Sequence, residues 1–286
     1  MTESPKEVFI DFTNICNYKC IFCTNRFVKE RHILRLKDIK NLKEIIDKAE
    51  LVDITGWGEV TTHPEFKEII LFLTNLNKQF TITTNGSLLN NELIGLLRNS
   101  PMKHINISLN SLNRETYKKL SGGFDNLNKV LINIDLLAQE PRNYEVYVSF
   151  VMNNYNLNEV ENIRKFGKEK DVNITLFDLT PTIKNYEKEL KIEDTPKNRK
   201  RLSSNFFDNR NINKKASIMK GCRWVYDKIF IRWDGVVTPC CWCLEEMGDI
   251  TKQNWKDVWD GKKYKDLRNC IKTGNLKYCK DCRRLG

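Results

Sequence analysis

Val8-Phe9-Ile10-Asp11-Phe12-Thr13-Asn14-Ile15-Cys16-Asn17-Tyr18-Lys19-Cys20-Ile21-Phe22-Cys23 joins the two signals from which the rest of the chain is read. Its first six residues form an apolar, aromatic and β-branched run of strand type. Three cysteines follow at once, spaced C-x3-C-x2-C, so they fall on the loop at the strand's C-terminal end. Three thiolates this close suit an iron–sulfur cluster, because soft sulfur ligands neutralise ferric and ferrous charge. Three protein ligands leave the fourth iron of a 4Fe–4S cluster open, and an open iron is where a substrate can bind. The same residues also fit three buried core thiols, or three ligands of a zinc site completed elsewhere.

Outward from this stretch the chain alternates strand and helix periods. Further strand-type runs stand at Leu51–Thr55, Phe80–Thr84, Ile105–Asn110, Glu145–Val151 and Asn173–Asp178. Between them lie helical stripes: Leu36, Ile39, Leu42, Ile45 and Ile46; then Phe66, Ile69, Ile70 and Leu73. A third stretch runs from Tyr117 to Leu137 with Leu127, Val130, Leu131, Ile134 and Leu137 as its apolar positions. Strand starts lie 25–43 residues apart, the length a right-handed βαβ crossover needs. The expected fold class is α/β, a partial (β/α)6 TIM-like barrel over residues 1–183, with functional groups at the C-terminal strand ends.

Residues 184–220 read as a basic connector, rich in Lys, Arg and Asn, with one proline, Pro196. Residues 221–286 read as a small α+β domain. In it Asp227–Trp233 and Val236–Pro239 flank an Asp234-Gly235 turn, a hairpin signal. A helix is expected from about Asn254 to Lys272, burying Trp255, Val258, Trp259, Leu267 and Ile271. Cys222 and Cys240 follow a C-x12-G-x4-C pattern, and Cys279-Lys280-Asp281-Cys282 adds a C-x2-C pair. Four such thiolates can enclose a second, fully ligated 4Fe–4S cluster; a structural zinc site is the alternative. Cys241 and Cys243 flank Trp242 beside Cys240, so ligand identity could pass among the three. Either could instead donate hydrogen to a substrate radical or simply pack near the cluster. Cys270 fits helix packing.

Composition narrows the class. The chain has 286 residues, ten cysteines and three histidines (His32, His63, His104). That count argues against a histidine-rich zinc site. No run of 18 apolar residues exists and no signal-peptide stretch opens the sequence, so a cytoplasmic protein without membrane insertion is expected. Cysteines in such a compartment favour metal or redox chemistry over disulfides. Residues 1–183 carry 23 basic and 23 acidic side chains, so all of the net charge of +11 lies beyond them. Such a surface could attract a phosphate-bearing or acidic substrate, or an acidic flavodoxin or ferredoxin reductant. No nucleic-acid-binding motif accompanies it.

The cysteine spacing closely resembles the signature of the radical S-adenosylmethionine (SAM) superfamily. That resemblance implies that Cys16, Cys20 and Cys23 hold the cluster that binds and reductively cleaves SAM to a 5′-deoxyadenosyl radical. It also implies an adenine neighbour at Phe22. Gly56-Trp57-Gly58-Glu59 resembles the family's glycine–glutamate motif, where backbone groups and a Glu hold the methionine amine. Here Trp57 interrupts the glycine pair and Val60 replaces the usual proline. The resemblance further suggests SAM contacts near Asn85 of Thr84-Asn85-Gly86, at Ser108 and Asn110, and at Asn153. It covers roughly residues 6–182. The second cysteine set resembles the twitch extension, a shortened SPASM domain with one auxiliary cluster, held by Cys222, Cys240, Cys279 and Cys282. The whole resembles 2-deoxy-scyllo-inosamine dehydrogenase-type enzymes. This implies oxidation by two electrons of a polar, carbohydrate- or cyclitol-like small molecule through the auxiliary cluster. Two other functions stay open: a peptide-modifying epimerase or crosslinking enzyme, and a non-catalytic iron–sulfur or zinc sensor.

Overall fold

The computed structural model describes residues 4–179, 190–191, 222–241, 243, 245–275 and 277–278. Six strands run parallel in sequence order: β1 (Glu7–Ile10), β2 (Leu51–Ile54), β3 (Phe80–Thr84), β4 (Met102–Ser108), β5 (Glu145–Met152) and β6 (Asn173–Asp178). Each matches an expected run to within three residues. The sheet does not close between β6 and β1. Instead β7 (Lys228–Ile231) pairs in parallel with β1, and β8 (Val236–Thr238) and β9 (Gly248–Asp249) extend it antiparallel. The hairpin is therefore continuous with the barrel sheet, which reaches nine strands in the order β6-β5-β4-β3-β2-β1-β7-β8-β9. The Asp234-Gly235 turn forms as expected, with Gly235 at φ +81°. The connector lies almost wholly outside the described residues.

Helices cover one face of the sheet. α1 (Leu36–Asn41) and α2 (Lys43–Lys48) follow β1, α3 (Phe66–Asn75) follows β2 and α4 (Asn91–Arg98) follows β3. On α3 the buried residues are Phe66, Ile69, Ile70 and Leu73, the stripe the 3.6-residue period requires. Each such side chain stabilises the fold by about 1.5–3 kcal/mol. The 117–137 stretch, expected as one unit, is two helices: α5 (Arg114–Leu120) and α6 (Leu127–Ala138). They part at Gly122 and Gly123, both with positive φ, a conformation that ends a helix. α7 (Val160–Lys170) covers β6. The single helix expected over 254–272 likewise divides, after α8 (Trp224–Asp227), into α9 (Trp255–Trp259) and α10 (Lys262–Thr273). The break is at Gly261, where a Cβ would stand 2.5 Å from the Asp257 carbonyl. Trp255, Val258, Trp259, Leu267 and Ile271 are all buried. Cys270 is buried too.

The two faces of the sheet differ. Val8, Ile10, Val52, Ile54, Ile105, Ile107, Val146 and Val148 point beneath the helices and are buried. Register places Asp53, Thr81, His104 and Glu145 side by side on the other, concave face. Parallel strands are usually apolar on both faces; here the inner face is polar from β2 to β6. Toward β7 it is filled instead. Phe9 stacks on Phe230 at 4.4 Å, Trp224 on Phe230 at 5.6 Å, and Lys228 pairs with Glu7 at 2.5 Å. Among the described residues no helix is long and apolar enough to cross a membrane.

Candidate active site

The cysteine loop leaves β1 and is held from four directions. Asn14, fully buried, accepts the His32 N–H at 2.8 Å and donates to the Glu30 carbonyl at 2.9 Å. Asn25 donates to the Asn14 carbonyl at 2.9 Å and to the Trp57 carbonyl, and Arg31 donates to Asn25 Oδ1 at 2.6 Å. Between the first two cysteines, Tyr18 stacks on Phe124 at 5.0 Å and shares a 2.8 Å hydroxyl contact with Tyr117. Finally, the Lys19 and Ile21 N–H groups donate to the Ser121 and Leu120 carbonyls at the end of α5. A Cβ on Gly122 would lie 2.2 Å from the Lys19 carbonyl oxygen. Glycine is thus what lets the α5–α6 turn touch the loop. The Gly122-Gly123 pair was the available signal in the sequence; the asparagines carried none.

Cys16, Cys20 and Cys23 are all half-buried on this loop. Burial pushes the Cys16 thiol up to about 11, against an N–H donated to its sulfur by Tyr18 at 3.4 Å. Burial also raises Cys20, reinforced by Cys23 and Cys16 beside it, and raises Cys23. Crowded, desolvated thiols resist ionisation unless a cation takes the charge, which is what metal binding supplies. Among the described residues no three His, Cys, Asp or Glu side chains gather tightly enough for one metal ion. The ligands of a single tetrahedral zinc would stand about 3.8 Å apart. Three thiolates on one loop are the donor set a 4Fe–4S cluster takes, one on each of three irons.

Next to the loop lies the Gly56–Glu59 segment. The Glu59 N–H donates to the Ile15 carbonyl at 2.9 Å, and a Cβ on Gly58 would fall 2.1 Å from the Thr13 carbonyl oxygen. Trp57 turns away and meets Trp233 of the β7–β8 turn at 5.4 Å. The Glu59 carboxylate is buried and accepts from the Thr61 N–H and hydroxyl, the Thr84 hydroxyl and, at 2.6 Å, the Asn85 N–H. Burial raises its pKa, and those donors are all neutral. A cationic ligand group would complete its charge balance. Asn85 also donates to Asn17 at 2.8 Å, so the cysteine loop, Glu59 and Asn85 form one connected unit. Ser108 lies half-buried at the end of β4, paired in register with Ser149. Asn110 instead spends its side-chain oxygen on the Val151 N–H at 2.8 Å. Asn153 is fully buried, its amide donating to the Val151 carbonyl and its oxygen accepting from Tyr155 N–H. These bonds brace its own turn. Phe22 is half-buried beside Cys23.

Asp11, which composition and spacing did not single out, directly follows β1 against Gly56 and accepts the Trp57 N–H at 2.8 Å. A Cβ on Gly56 would stand 1.9 Å from its carboxyl carbon. Burial pushes its pKa up to about 8. Glu159 also went unnoticed. It is buried and accepts from Ser111 and from the Leu112 and Asn113 N–H groups, fixing the loop after β4.

Of the second cysteine set, Cys222 packs on the core and Cys240 follows β8. Cys240 and Cys243 form an isolated antiparallel bridge, and the Cys243 thiol donates to the Tyr278 carbonyl at 3.3 Å. Burial raises the buried Tyr264 hydroxyl, and Cys240 and Cys243 act on it in the same direction. Cys241 is exposed. Cys279 and Cys282 lie outside the described residues, although Tyr278 brings the chain to the residue before Cys279. A cavity of about 1110 Å³ lies by the N-terminal ends of β4–β6. It is at the opposite end of the strands from the cysteine loop, and its Arg142 is already paired with Glu140 and Asp171.

Residues 10–167 match the radical SAM superfamily. The chain belongs to that superfamily. Residues 222–283 match SPASM, an iron–sulfur cluster-binding domain. A radical SAM enzyme with this extension uses SAM and two iron–sulfur clusters. A curated relative, an uncharacterised protein of Methanocaldococcus jannaschii, is 34% identical over 158 residues, covering 54% of this chain and 51% of that protein. The chain spans between half and three-fifths of the length of the first curated relatives it matches. Among solved structures, Streptococcus suis SuiB bound to S-adenosylmethionine superposes with a TM-score of 0.73 at 20% identity, covering 96% of this chain and 72% of that one. BtrN in complex with AdoMet and 2-DOIA gives 0.58 at 18% identity, covering 99% and 94%. At these identities the likeness is one of fold.

Proposed function

We propose that this radical SAM protein is an oxidoreductase that removes two hydrogens from a polar, carbohydrate- or cyclitol-like small molecule. The observation that carries this reading is the polar inner face of the sheet, which opens between Asp53 and Thr175 below the cysteine loop. When bound, SAM on its reduced cluster would supply a radical that takes one hydrogen atom, and the auxiliary cluster would take the remaining electron while the proton passes to solvent. Cys16, Cys20 and Cys23 would hold the first cluster. Glu59, already oriented by Thr61, Thr84 and Asn85, would hold the ammonium of SAM. Ser108 would meet its ribose or carboxylate. Cys222 and Cys240, with Cys279 and Cys282, would hold the second cluster. Exposed Lys256, Lys262, Lys263, Lys265 and Lys272 on α9 and α10 suit an acidic flavodoxin or ferredoxin as reductant.

A second reading has its own support. SuiB, whose structure bound to its precursor peptide SuiA also superposes on this chain (TM-score 0.70), favours a peptide substrate. Anaerobic reconstitution followed by SAM and dithionite tests both. Formation of 5′-deoxyadenosine is expected, and its absence from fully loaded protein refutes the enzymatic reading. Product mass separates dehydrogenation, a loss of two hydrogens, from epimerisation, with no change; a crosslinked peptide also loses two hydrogens and is told apart by whether the altered molecule is the peptide or the small molecule.

A further inference from the structure

Trp57 stands where the resemblance to the family's glycine–glutamate motif breaks, and the function proposed above does not use it. It is the only side chain between Thr55 and Glu59, because its neighbours are Gly56 and Gly58. Both glycines press their backbone onto other parts of the fold. A Cβ on Gly56 would stand 1.9 Å from the Asp11 carboxyl carbon, and one on Gly58 would stand 2.1 Å from the Thr13 carbonyl oxygen. Glycine leaves a backbone many conformations, so the position of this segment depends on the few contacts that hold it.

Trp57 makes three of these, to three different places. Its N–H donates to Asp11, just after β1, at 2.8 Å. Its carbonyl accepts from Asn25, two residues past Cys23. Its half-buried ring meets buried Trp233 in the β7–β8 turn, with centroids 5.4 Å apart and planes tilted by 56°. Two residues after Trp57, the Glu59 N–H is fixed to the Ile15 carbonyl at 2.9 Å.

The Trp233 side of the contact belongs to the SPASM domain and is held from within it. The Arg232 guanidinium lies 5.1 Å from the Trp233 ring centroid and pairs with Asp234 and Glu246. The Ile250 N–H donates to the Gly235 carbonyl at 2.9 Å, and the Met247 N–H donates to the Val237 carbonyl at 2.8 Å. Glu246, Met247 and Ile250 all lie beyond Cys240 and Cys243. The turn that carries Trp233 is therefore tied to both ends of the segment that carries those cysteines.

We propose that Trp57 is a positioning residue: through Trp233 it couples the SPASM domain to the Gly56–Glu59 segment and so tightens SAM binding at the first cluster. This rests on the reading above that Glu59 holds the SAM ammonium. The coupling is reciprocal, so bound SAM steadies the β7–β8 turn by the same factor. One aromatic pair supplies about a 2- to 10-fold effect on affinity.

SAM binding by equilibrium dialysis to the anaerobically reconstituted full chain tests this, with Tm, iron and sulfide measured for each variant. Trp57→Ala should weaken binding about 2- to 10-fold, and Trp57→Phe should recover most of the loss. Trp233→Ala, altered in the SPASM domain, should weaken binding by a similar factor. If that variant fails to hold both clusters, Trp233→Leu replaces it with the same expectation. The double variant should bind no more weakly than the weaker single variant, because both substitutions remove one contact. Wild-type affinity in Trp57→Ala or in the Trp233 variant, or losses that multiply in the double variant, overturns the proposal. In that case SAM binding that still depends on Glu59 leaves the reading of Glu59 standing. Wild-type affinity in Glu59→Gln removes that reading and this inference together.

Discussion

Replacing Gly122 by alanine probes how the α5–α6 turn sets the cysteine loop. Gly122 has φ +80° and Gly123 φ +101°, so an alanine at either position is strained by about 1–2 kcal/mol. Only at 122 does the new Cβ also meet backbone, 2.2 Å from the Lys19 carbonyl oxygen; at 123 nothing lies within 4 Å. Restoring an ordinary contact of about 3.2 Å requires the Lys19 carbonyl, whose peptide bond leads directly into Cys20, to move by roughly 1 Å, a displacement that can cost about 100-fold in rate. Gly123→Ala should therefore lower Tm by about 2–6 °C and leave the first cluster intact. Gly122→Ala should lose about 3 kcal/mol or more, retain less iron, and release 5′-deoxyadenosine about 100-fold more slowly. Tm, iron and sulfide content, the EPR spectrum with SAM and 5′-deoxyadenosine release are measured on both variants. Equal cluster content and equal SAM cleavage in the two would refute the claim that this turn sets the loop.

Asp11 gives a pH prediction. Its pKa rises from 3.8 in the unfolded chain to about 8 in the fold, by burial, so the folded protein holds the proton more tightly. Its contribution is fully present below pH 3.8 and is lost as pH rises toward about 8; Asp11→Asn should flatten that fall in Tm, and a slope as steep as the wild type's would count against it. Glu59→Gln sets an amide hydrogen against the donors of Thr61, Thr84 and Asn85, so SAM binding by equilibrium dialysis should weaken by roughly 10-fold or more; wild-type affinity would show that the carboxylate plays no part. Cys240→Ser should remove the auxiliary-cluster EPR signal while the exposed Cys241→Ser keeps it; loss of signal only in Cys241→Ser would exchange their roles.

Much of this site was legible before any coordinates. Cys16, Cys20 and Cys23 are adjacent in sequence, and chelation by one short loop is a local property. Strand and helix periods are local as well, which is why β3 and β6 fall on the expected residues and α3 buries the expected four. The helix breaks at Gly122 and Gly261 are hidden by an apolar stripe that persists across them; Gly122 answers to the distant Lys19 carbonyl, and Gly261 to the Asp257 carbonyl one turn back. Asn110 and Asn153 sit at strand ends, where a polar side chain can face a site, cap a turn or do both; their bonds around Val151 at the end of β5 come from the geometry alone.

By itself the sequence determined the parallel α/β fold, the three-thiol loop and the Asp234-Gly235 hairpin, all set by spacing and turn chemistry within short windows. Tertiary structure alone decided that β7 adds to β1, that Glu59 is held by residues from β3, and that Trp57 meets Trp233. Those features depend on register between strands far apart in the chain. A side chain's partners across a sheet are fixed by which strands pair and in what alignment, and no local pattern encodes that.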